Sequence, residues 1–189
     1  MDLTPFVASF FLVAVAELGD KTQIAVITLA SRFKAFSVFS GAMLAFLLTT
    51  GIAVAIGDAL TLVLPTFWIR IIAATIFLAF GIYTIVSRKR EAQVKTEDTR
   101  NVFFSSFSLI TLMELGDKTQ FAVIALSAEY ESFLLVYLGV IIAFVFITGL
   151  GVTVGTALTK LVPLEYIQLG SGLIFILFGF VFLISTILG

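Results

Sequence analysis

The sequence ELGDKTQ stands at residues 17–23 and is repeated without change at residues 114–120. Each copy places a glutamate, an aspartate and a lysine inside a long run of apolar residues. An ionisable side chain within a membrane segment costs about 2.5 to 3.5 kcal/mol on insertion scales, so such residues are rarely kept without a use. Because the same costly cluster occurs in both halves of the chain, we expect the two copies to form one shared polar site.

The composition is that of an integral membrane protein. Of the 189 residues 60% are hydrophobic and 12% are charged, and the mean hydropathy is +1.19, whereas soluble domains are about 45 to 50% apolar. The net charge is −1, and the positive residues lie in short loops beside apolar runs, so the charge balance indicates no nucleic-acid partner. Cysteine and histidine are absent, which excludes a disulfide framework, a thiolate metal site and a histidine proton relay.

The N-terminal residues Met1–Pro5 contain an acid where a signal peptide needs lysine or arginine, and Glu17 breaks the apolar run that follows. We therefore expect the first apolar segment to remain in the mature protein. Nothing in the sequence is typical of an organelle transit peptide, so a bacterial plasma membrane is the expected location.

Six apolar stretches are long enough to cross about 30 Å of hydrocarbon as helices of about 20 residues. Their continuous apolar character favours helices over the alternating strands of a membrane barrel. They lie near Phe6–Leu29, Ser37–Ile56, Ile69–Val86, Val102–Ser127, Phe133–Leu158 and Ile167–Ile187.

The two halves of the chain align along their whole length. Glu17 aligns with Glu114, and after one additional residue the alignment continues with pairs that include Gly41 and Gly139, Ala45 and Ala143, Thr50 and Thr148, Gly57 and Gly155, and Phe77 and Phe175. A three-helix unit has been duplicated, and an odd number of spans forces the second copy to enter from the opposite side. The predicted fold is therefore all-α, with six transmembrane helices in two inverted repeats at residues 1–87 and 102–189, joined by a charged cytoplasmic linker at 88–101.

Loop charges predict the orientation. The loops after the first, third and fifth spans hold Arg32, Lys34, Arg88, Lys89, Arg90, Lys95, Arg100 and Lys160, whereas the other side has Arg70 alone. By the positive-inside rule these three loops are cytoplasmic, and both termini face outward. Near the outer side, Asp58 is expected to be a polar helix end, and Glu129 and Glu131 are expected to be exposed acids of a loop.

Both motif copies are predicted to reach the middle of the bilayer. Phe6 precedes Glu17 by about 16 Å of helix at about 1.5 Å per residue, and Phe103 precedes Glu114 by the same spacing. On a continuous helix, the acids and the lysine of one copy would project from one face. Gly19 and Gly116 would either let another backbone approach or let the helix break.

The chemistry of the motif predicts a site for a hard divalent cation. The metal ligands would be Glu17, Asp20, Glu114 and Asp117, supported by the neutral oxygens of Thr22, Gln23, Thr119 and Gln120, with Thr49, Thr50 and Thr148 lining the cavity. Four carboxylates and the two ammonium groups of Lys21 and Lys118 leave a formal charge of −2. Ca²⁺, Mn²⁺ and Mg²⁺ favour oxygen ligands, whereas Zn²⁺ and Cu⁺ prefer histidine and cysteine.

The lysines indicate a site that changes state. They could neutralise the acids when no metal is bound and release them as metal arrives. A carboxylate oxygen that holds a proton cannot bind a metal at the same time, so metal and protons should compete. Competition at one alternately exposed site is the minimum that metal/proton antiport requires.

A duplicated Glu-x-Gly-Asp-Lys-Thr on the first and fourth of six spans resembles the Gdt-type cation/proton exchanger family, which includes MneA-like bacterial manganese exporters. The resemblance covers essentially the whole chain. It implies that Glu17, Asp20, Glu114 and Asp117 form the cation site, and Lys21, Thr22, Lys118 and Thr119 also match the motif. It further implies Mn²⁺ export, with Ca²⁺ as a related substrate, driven by inward proton movement in a bacterial form of the family, and no enzymatic activity.

Other interpretations of the same residues stay open at this point. The four acids could hold the ammonium group of a cationic amino acid in an exporter of the lysine-exporter type. Asp20 and Asp117 could form the dyad of an intramembrane aspartyl protease, although each has a glutamate and a lysine beside it. A passive channel, or buried ion pairs that only fix helix packing, would also use these residues. The sequence leaves open whether the protein forms a homo-oligomer.

Overall fold

The structure, a computed structural model, describes residues 2–86, 101–161 and 164–188, with backbone only for 154–161, 164–168 and 188. All regular secondary structure in these residues is helical, which confirms the predicted all-α class. The eight helices of this described part are α1 (Thr4–Glu17), α2 (Lys21–Arg32), α3 (Ala35–Thr61), α4 (Thr66–Val86), α5 (Val102–Glu114), α6 (Lys118–Tyr130), α7 (Phe133–Leu161) and α8 (Leu164–Leu188).

The motif copies break the first and fourth predicted spans into pairs of shorter helices. Gly19 and Gly116 take left-handed backbone conformations, with φ of 70° and 76°, which favour glycine because it has no Cβ. Of the two roles that the sequence allowed for these glycines, the structure therefore shows the helix break. The prediction that the acids and lysine of one copy share a single helical face is wrong, because the chain turns between the glutamate and the aspartate.

Four helices are long and apolar enough to cross a membrane by themselves: α3, α4, α7 and α8. The apolar helices α1 and α5 are shorter, with 14 and 13 residues. Large apolar side chains such as Phe36, Leu62 and Leu112 are exposed on the outside of the bundle. A chain of this apolar character with several such helices is a membrane protein.

The helices pack in reciprocal pairs. Helix α1 packs on α7 and α5 packs on α3, while α4 and α8 pack against each other. The first two contacts depend on aligned glycines: a Cβ at Gly41 would lie 2.5 Å from the Phe103 carbonyl oxygen, and one at Gly139 would lie 2.5 Å from the Phe6 carbonyl oxygen. Each close contact therefore joins a helix of one half to a helix of the other.

These contacts also define the two ends of the bundle. The start of α3 follows the end of α2 and lies beside the start of α5, and we call this the linker end. The start of α7 follows the end of α6 and lies beside the start of α1, and we call this the far end. Helices α1 and α5, which begin the two halves, therefore begin at opposite ends of the bundle.

An ion pair at the far end corrects the expectation for Glu129. Its carboxylate accepts hydrogen bonds of 3.0 and 3.1 Å from the Arg70 guanidinium, whose Nη1 also donates to the Ser185 carbonyl oxygen at 3.1 Å. Glu129 is thus not an exposed loop acid, because it lies in the last turn of α6 and Arg70 joins it to α4 and α8. As expected, Asp58 lies in the last turns of α3 and Glu131 is exposed.

Parts of two predictions fall outside the described residues. Of the predicted linker at 88–101, the structure describes Asn101, whose side chain accepts a hydrogen bond from the Phe104 backbone N–H at the start of α5. The side chain of Lys160 also lies outside the described part. The division into two repeats and a linker stays a prediction.

The close contact at Gly139 predicts a loss of stability on adding a methyl group. Gly139→Ala should lower the free energy of unfolding by about 1 to 3 kcal/mol, since overpacking a tight contact costs that much. Gly149→Ala in the same helix is the matched control, because a Cβ at Gly149 meets nothing within 4 Å. Thermal unfolding in detergent checks this, and equal midpoints for the two variants would contradict it.

The far-end ion pair predicts a measurable coupling between its partners. Arg70→Gln should destabilise the protein by about 1 to 3 kcal/mol, because it leaves the Glu129 carboxylate, whose side chain is 9% exposed, without its cation. The double variant Arg70→Gln/Glu129→Gln should recover part of that loss. Glu131→Gln, at an exposed neighbouring position, should change nothing. Additive effects of the two single substitutions would contradict the pairing.

Candidate metal site

The two motif copies meet at the helix breaks. Glu17 and Glu114 are the last residues of α1 and α5, and Asp20 and Asp117 are the N-caps of α2 and α6. In each copy the aspartate backbone N–H donates to the glutamate carbonyl oxygen at 3.1 Å, which closes the turn. The break therefore places the two acids of one copy on neighbouring helix ends.

The glutamines hold the turns in place. The Gln120 side-chain oxygen accepts a hydrogen bond of 2.7 Å from the Gly116 backbone N–H, and Gln23 accepts one from Gly19 in the same way. The sequence suggested that these amides would add neutral oxygens to the site. In the structure their oxygens instead satisfy the backbone of the break.

Each lysine pairs with the aspartate of the other motif copy. The distance from Lys21 Nζ to Asp117 Oδ1 is 2.6 Å, and from Lys118 Nζ to Asp20 Oδ1 it is also 2.6 Å. The two pairs differ in exposure, because the Lys21 side chain is 39% exposed and that of Lys118 is 15% exposed. The charge pairing therefore crosses between the halves of the chain.

The glutamates are buried and are also contacted from the other copy. Glu17 is 2% exposed and Glu114 is 3% exposed. Thr22 Oγ1 donates to Glu114 Oε1 at 2.7 Å, and Thr119 Oγ1 donates to Glu17 Oε1. The threonines of the motif thus orient the glutamates across the interface between the halves.

Three of the four predicted acids form a compact cluster. Carboxylate oxygens of Glu17, Asp20 and Asp117 all lie within 4.8 Å of one another, and this group is the one acid cluster of such size in the described part of the chain. Glu114 lies beside it through its bond to Thr22. The structure therefore brings together oxygen donors from both motif copies, the kind of ligand that hard divalent cations favour.

Two carboxylate oxygens in this cluster are buried without a hydrogen-bond partner among the described residues: Asp20 Oδ2 and Asp117 Oδ2. An N-cap aspartate normally accepts a hydrogen bond from the first turn of its own helix, but neither side chain does so here. Leaving a buried charged acceptor unsatisfied is costly. Both oxygens are therefore free to accept a ligand from the site.

Two small, partly open cavities lie beside the buried glutamates, each with about 220 Å³ of space not filled by atoms when the part open to solvent is included. The Glu114 cavity is lined by Glu114, Thr119, Gln120, Thr49, Thr50, Ala53, Val123 and Phe144. The Glu17 cavity is lined by Glu17, Thr22, Gln23, Val26, Phe46, Phe144, Ile147 and Thr148. The predicted lining roles of Thr49, Thr50 and Thr148 are confirmed.

Sequence reasoning missed Phe46 and Phe144, which stand at aligned positions of the two halves. Their rings stack between α3 and α7 with centroids 3.8 Å apart and planes inclined by 13°. The chain has 19 other phenylalanines, so their residue type alone does not single them out. Their equal position in the repeat alignment was the signal that could have singled them out.

Buried acids and lysines enclosed between broken helices of an apolar helical protein define a membrane transporter of ions. The chain matches the model of the family described as "Divalent cation/proton antiporter GDT1" over residues 5–92 and 102–188, and it belongs to that family. No solved structure matches it.

Similar proteins occur in eukaryotes and bacteria. A GDT1-like protein of Schizosaccharomyces pombe is 27% identical, with 88% of this chain and 84% of the relative covered. A GDT1-like protein of Synechocystis is 28% identical, with 95% of this chain and 96% of the relative covered. A Vibrio cholerae protein named "Putative manganese exporter" is 32% identical over 62% of this chain and 59% of its own length.

Family membership confirms the resemblance noted from the motif. The protein is a transporter of divalent cations and not an enzyme, so the aspartyl protease alternative is discarded.

The crossed ion pairs predict unequal costs for removing the two lysines. In chelator-treated protein, Lys118→Met should lower the free energy of unfolding by about 1 to 3 kcal/mol, because it leaves the Asp20 carboxylate beside Glu17 without its cation. Lys21→Met should cost less than about 1 kcal/mol, since the Lys21 side chain is 39% exposed and water screens its attraction to Asp117 more than it screens that of Lys118 to Asp20. Denaturation in detergent measures both, and a larger loss for Lys21→Met would contradict the geometry.

Proposed function

We propose that this protein exports Mn²⁺, with Ca²⁺ as a related substrate, in exchange for protons that move inward. The metal binds between the two halves at Glu17, Asp20, Glu114 and Asp117, and the site is exposed alternately to the two sides of the membrane. Lys21, Thr22, Gln23, Lys118, Thr119 and Gln120 support it.

The observation that carries this proposal is the convergence of acids from both motif copies. Oxygens of Glu17, Asp20 and Asp117 lie within 4.8 Å of one another, and the second oxygens of both aspartates are buried without a partner in the described residues. A divalent cation with oxygen ligands would satisfy these atoms. The N-termini of α2 and α6 carry their own partial positive charge at this point, which lowers the cost of keeping several acids together.

Charge balance explains the role of the lysines. Two ammonium groups leave two of the four negative charges uncompensated, and one divalent cation would neutralise the remainder. Each lysine binds one oxygen of an aspartate. When metal binds, the lysines either stay on these outer oxygens or withdraw, and the flexible stem of lysine allows both.

Protons are the proposed counter-ion because they compete with metal for the same oxygens. A protonated carboxyl group no longer offers a negative oxygen to the cation, and a bound cation disfavours the protonated form. When the metal leaves on one side, protons would take its place on the carboxylates. The protonated site would then turn to the other side with its charge still balanced.

Two inverted three-helix repeats supply the frame for alternating exposure. The beginnings of α1 and α5 at opposite ends of the bundle support the inverted arrangement. Helices α1 and α2 have 14 and 12 residues; together they would extend about 39 Å at about 1.5 Å per residue, enough for one span. Each broken pair then counts as one span, which gives six, with the site at the break.

The proposed location is a bacterial inner membrane, with both termini outside the cytoplasm. Arg32 and Lys34 lie at the linker end, where the positive-inside rule would place the cytoplasm. The name of the Vibrio cholerae relative, "Putative manganese exporter", supports this direction of transport.

Reconstituted vesicles test the exchange. We expect Mn²⁺ and Ca²⁺ flux in proteoliposomes to follow an imposed pH gradient, and Glu17→Gln or Glu114→Gln to reduce it at least tenfold, because each removes a charged ligand. Asp58→Asn, at an exposed acid outside the motif, is the matched control and should transport normally. Radiolabelled metal uptake provides the measurement.

Three outcomes would count against parts of the proposal. Flux that follows a sodium gradient and ignores pH would remove proton coupling. Competition of transport by lysine rather than by Mn²⁺ would favour a cationic amino acid as the substrate. Normal flux in both glutamine variants would move the site elsewhere.

A further inference from the structure

We propose that the stacked rings of Phe46 and Phe144 form the gate that separates two access pathways to the cation site. The inference rests on the proposed alternating exposure of that site. Both rings are buried, and they stack face to face in the interior of the bundle, between α3 and α7. Because α3 and α7 belong to different halves, any movement of one half against the other displaces one ring from its partner.

The rings lie between the two cavities. Phe144 borders both of them, whereas Phe46 borders the Glu17 cavity. Each cavity also contains one of the buried glutamates and a threonine at an aligned position, Thr50 in one and Thr148 in the other. The two cavities are thus corresponding chambers that meet at Phe144, on which the ring of Phe46 stacks.

Helix directions place these chambers toward opposite ends of the bundle. Helix α3 runs from the linker end to the far end, so Thr50 lies on the far side of Phe46. Helix α7 runs the other way, so Thr148 lies on the linker side of Phe144. In the Glu114 cavity, Val123 lies along α6 toward the far end. In the Glu17 cavity, Val26 lies along α2 toward the linker end. Each chamber is therefore the inner end of a pathway to one side of the membrane.

The chemistry of the ring pair suits a barrier. An apolar constriction excludes water and with it both hydrated metal and protons carried along water chains. Stacked aromatic rings hold a defined geometry. They come apart when the two helices that carry them move relative to each other. A continuous polar path through the protein would let metal and protons leak without exchange, and the ring pair prevents that path.

A second aromatic pair shows which feature matters. Phe77 and Phe175 are also aligned, buried and close, with ring centroids 5.6 Å apart, but they lie between α4 and α8 and line neither cavity. Pairing of aligned phenylalanines thus occurs in the core without a gate. Position between the chambers distinguishes Phe46 and Phe144, and Phe77 provides the matched control.

Cysteine labelling tests the barrier directly, because the chain has no cysteine of its own. Thr50→Cys and Thr148→Cys each place one thiol in one chamber. With a membrane-impermeant cationic thiosulfonate applied to right-side-out and inside-out vesicles, we expect the two thiols to react from opposite sides. Adding Phe144→Ala should make each react from both sides, with at least a fivefold gain in labelling from the formerly closed side, whereas adding Phe77→Ala should not.

A leak assay gives a second readout. In proteoliposomes containing Phe144→Ala, an imposed pH gradient should decay several-fold faster without metal than in those containing Phe77→Ala. Size-exclusion chromatography verifies that each variant is folded, and Phe144→Leu, which keeps apolar bulk without a ring to stack, replaces Phe144→Ala if that variant aggregates.

The outcomes separate the gate from the transport function. Labelling of both thiols from the same side in the parent chain, or one-sided labelling that persists in the folded Phe144 variant, would overturn the gate. Labelling needs no transport, so a parent protein that fails to exchange metal for protons would contradict the proposed function and leave the gate to be judged on labelling alone.

Discussion

The structure depends on holding four carboxylates and two ammonium groups together where the two halves meet, with both glutamates buried. Each lysine finds its partner in the other half, and each motif threonine donates to the other half's glutamate. A buried acid deprived of its partner is strongly destabilising, so neither half can satisfy its own motif in isolation. The polar cluster therefore fixes how the two halves align against each other. The glycines at positions 41 and 139 allow the backbones of the two halves to approach closely.

The helix breaks follow from the same constraint. In a continuous helix the motif backbone would be fully hydrogen-bonded, and the aspartate would lie one turn beyond the glutamate on the same surface. The left-handed glycines instead end one helix and begin another, so that two helix N-termini face the acids. The glutamines satisfy the glycine N–H groups of the break, while the aspartates make no capping bond to their own helices and each keeps one oxygen without a partner among the described residues. After each glutamate, the glycine thus breaks the helix, the glutamine supports the turn, and the aspartate keeps an oxygen for a ligand.

The sequence predicted the all-α class, the motif residues that converge and the threonines of the cavities, because repetition and the cost of buried charge are both visible in it. The choice between a continuous and a broken helix was not visible, since glycine suits either. For the same reason Lys21 could be assigned to the face of Glu17 but not to Asp117, a partner that only the turn makes reachable. The burial of Glu129 depended on where Arg70 lies in space, and Phe46 and Phe144 are apolar residues among many.

The halves differ in ways that bear on the transport cycle. The Arg70 and Glu129 ion pair joins α4, α6 and α8 at the far end, whereas the end of α2 at Leu29–Arg32 holds no acid and the residue aligned with Arg70 is Gln168. Thr49 lines the Glu114 cavity where Ile147 lines the other. In two identical inverted repeats the states closed at either end would have equal energy. Because the aligned positions do not hold the same arginine and acid, the two ends are not equivalent in charge, and the two states of the proposed cycle are not required to have equal free energy.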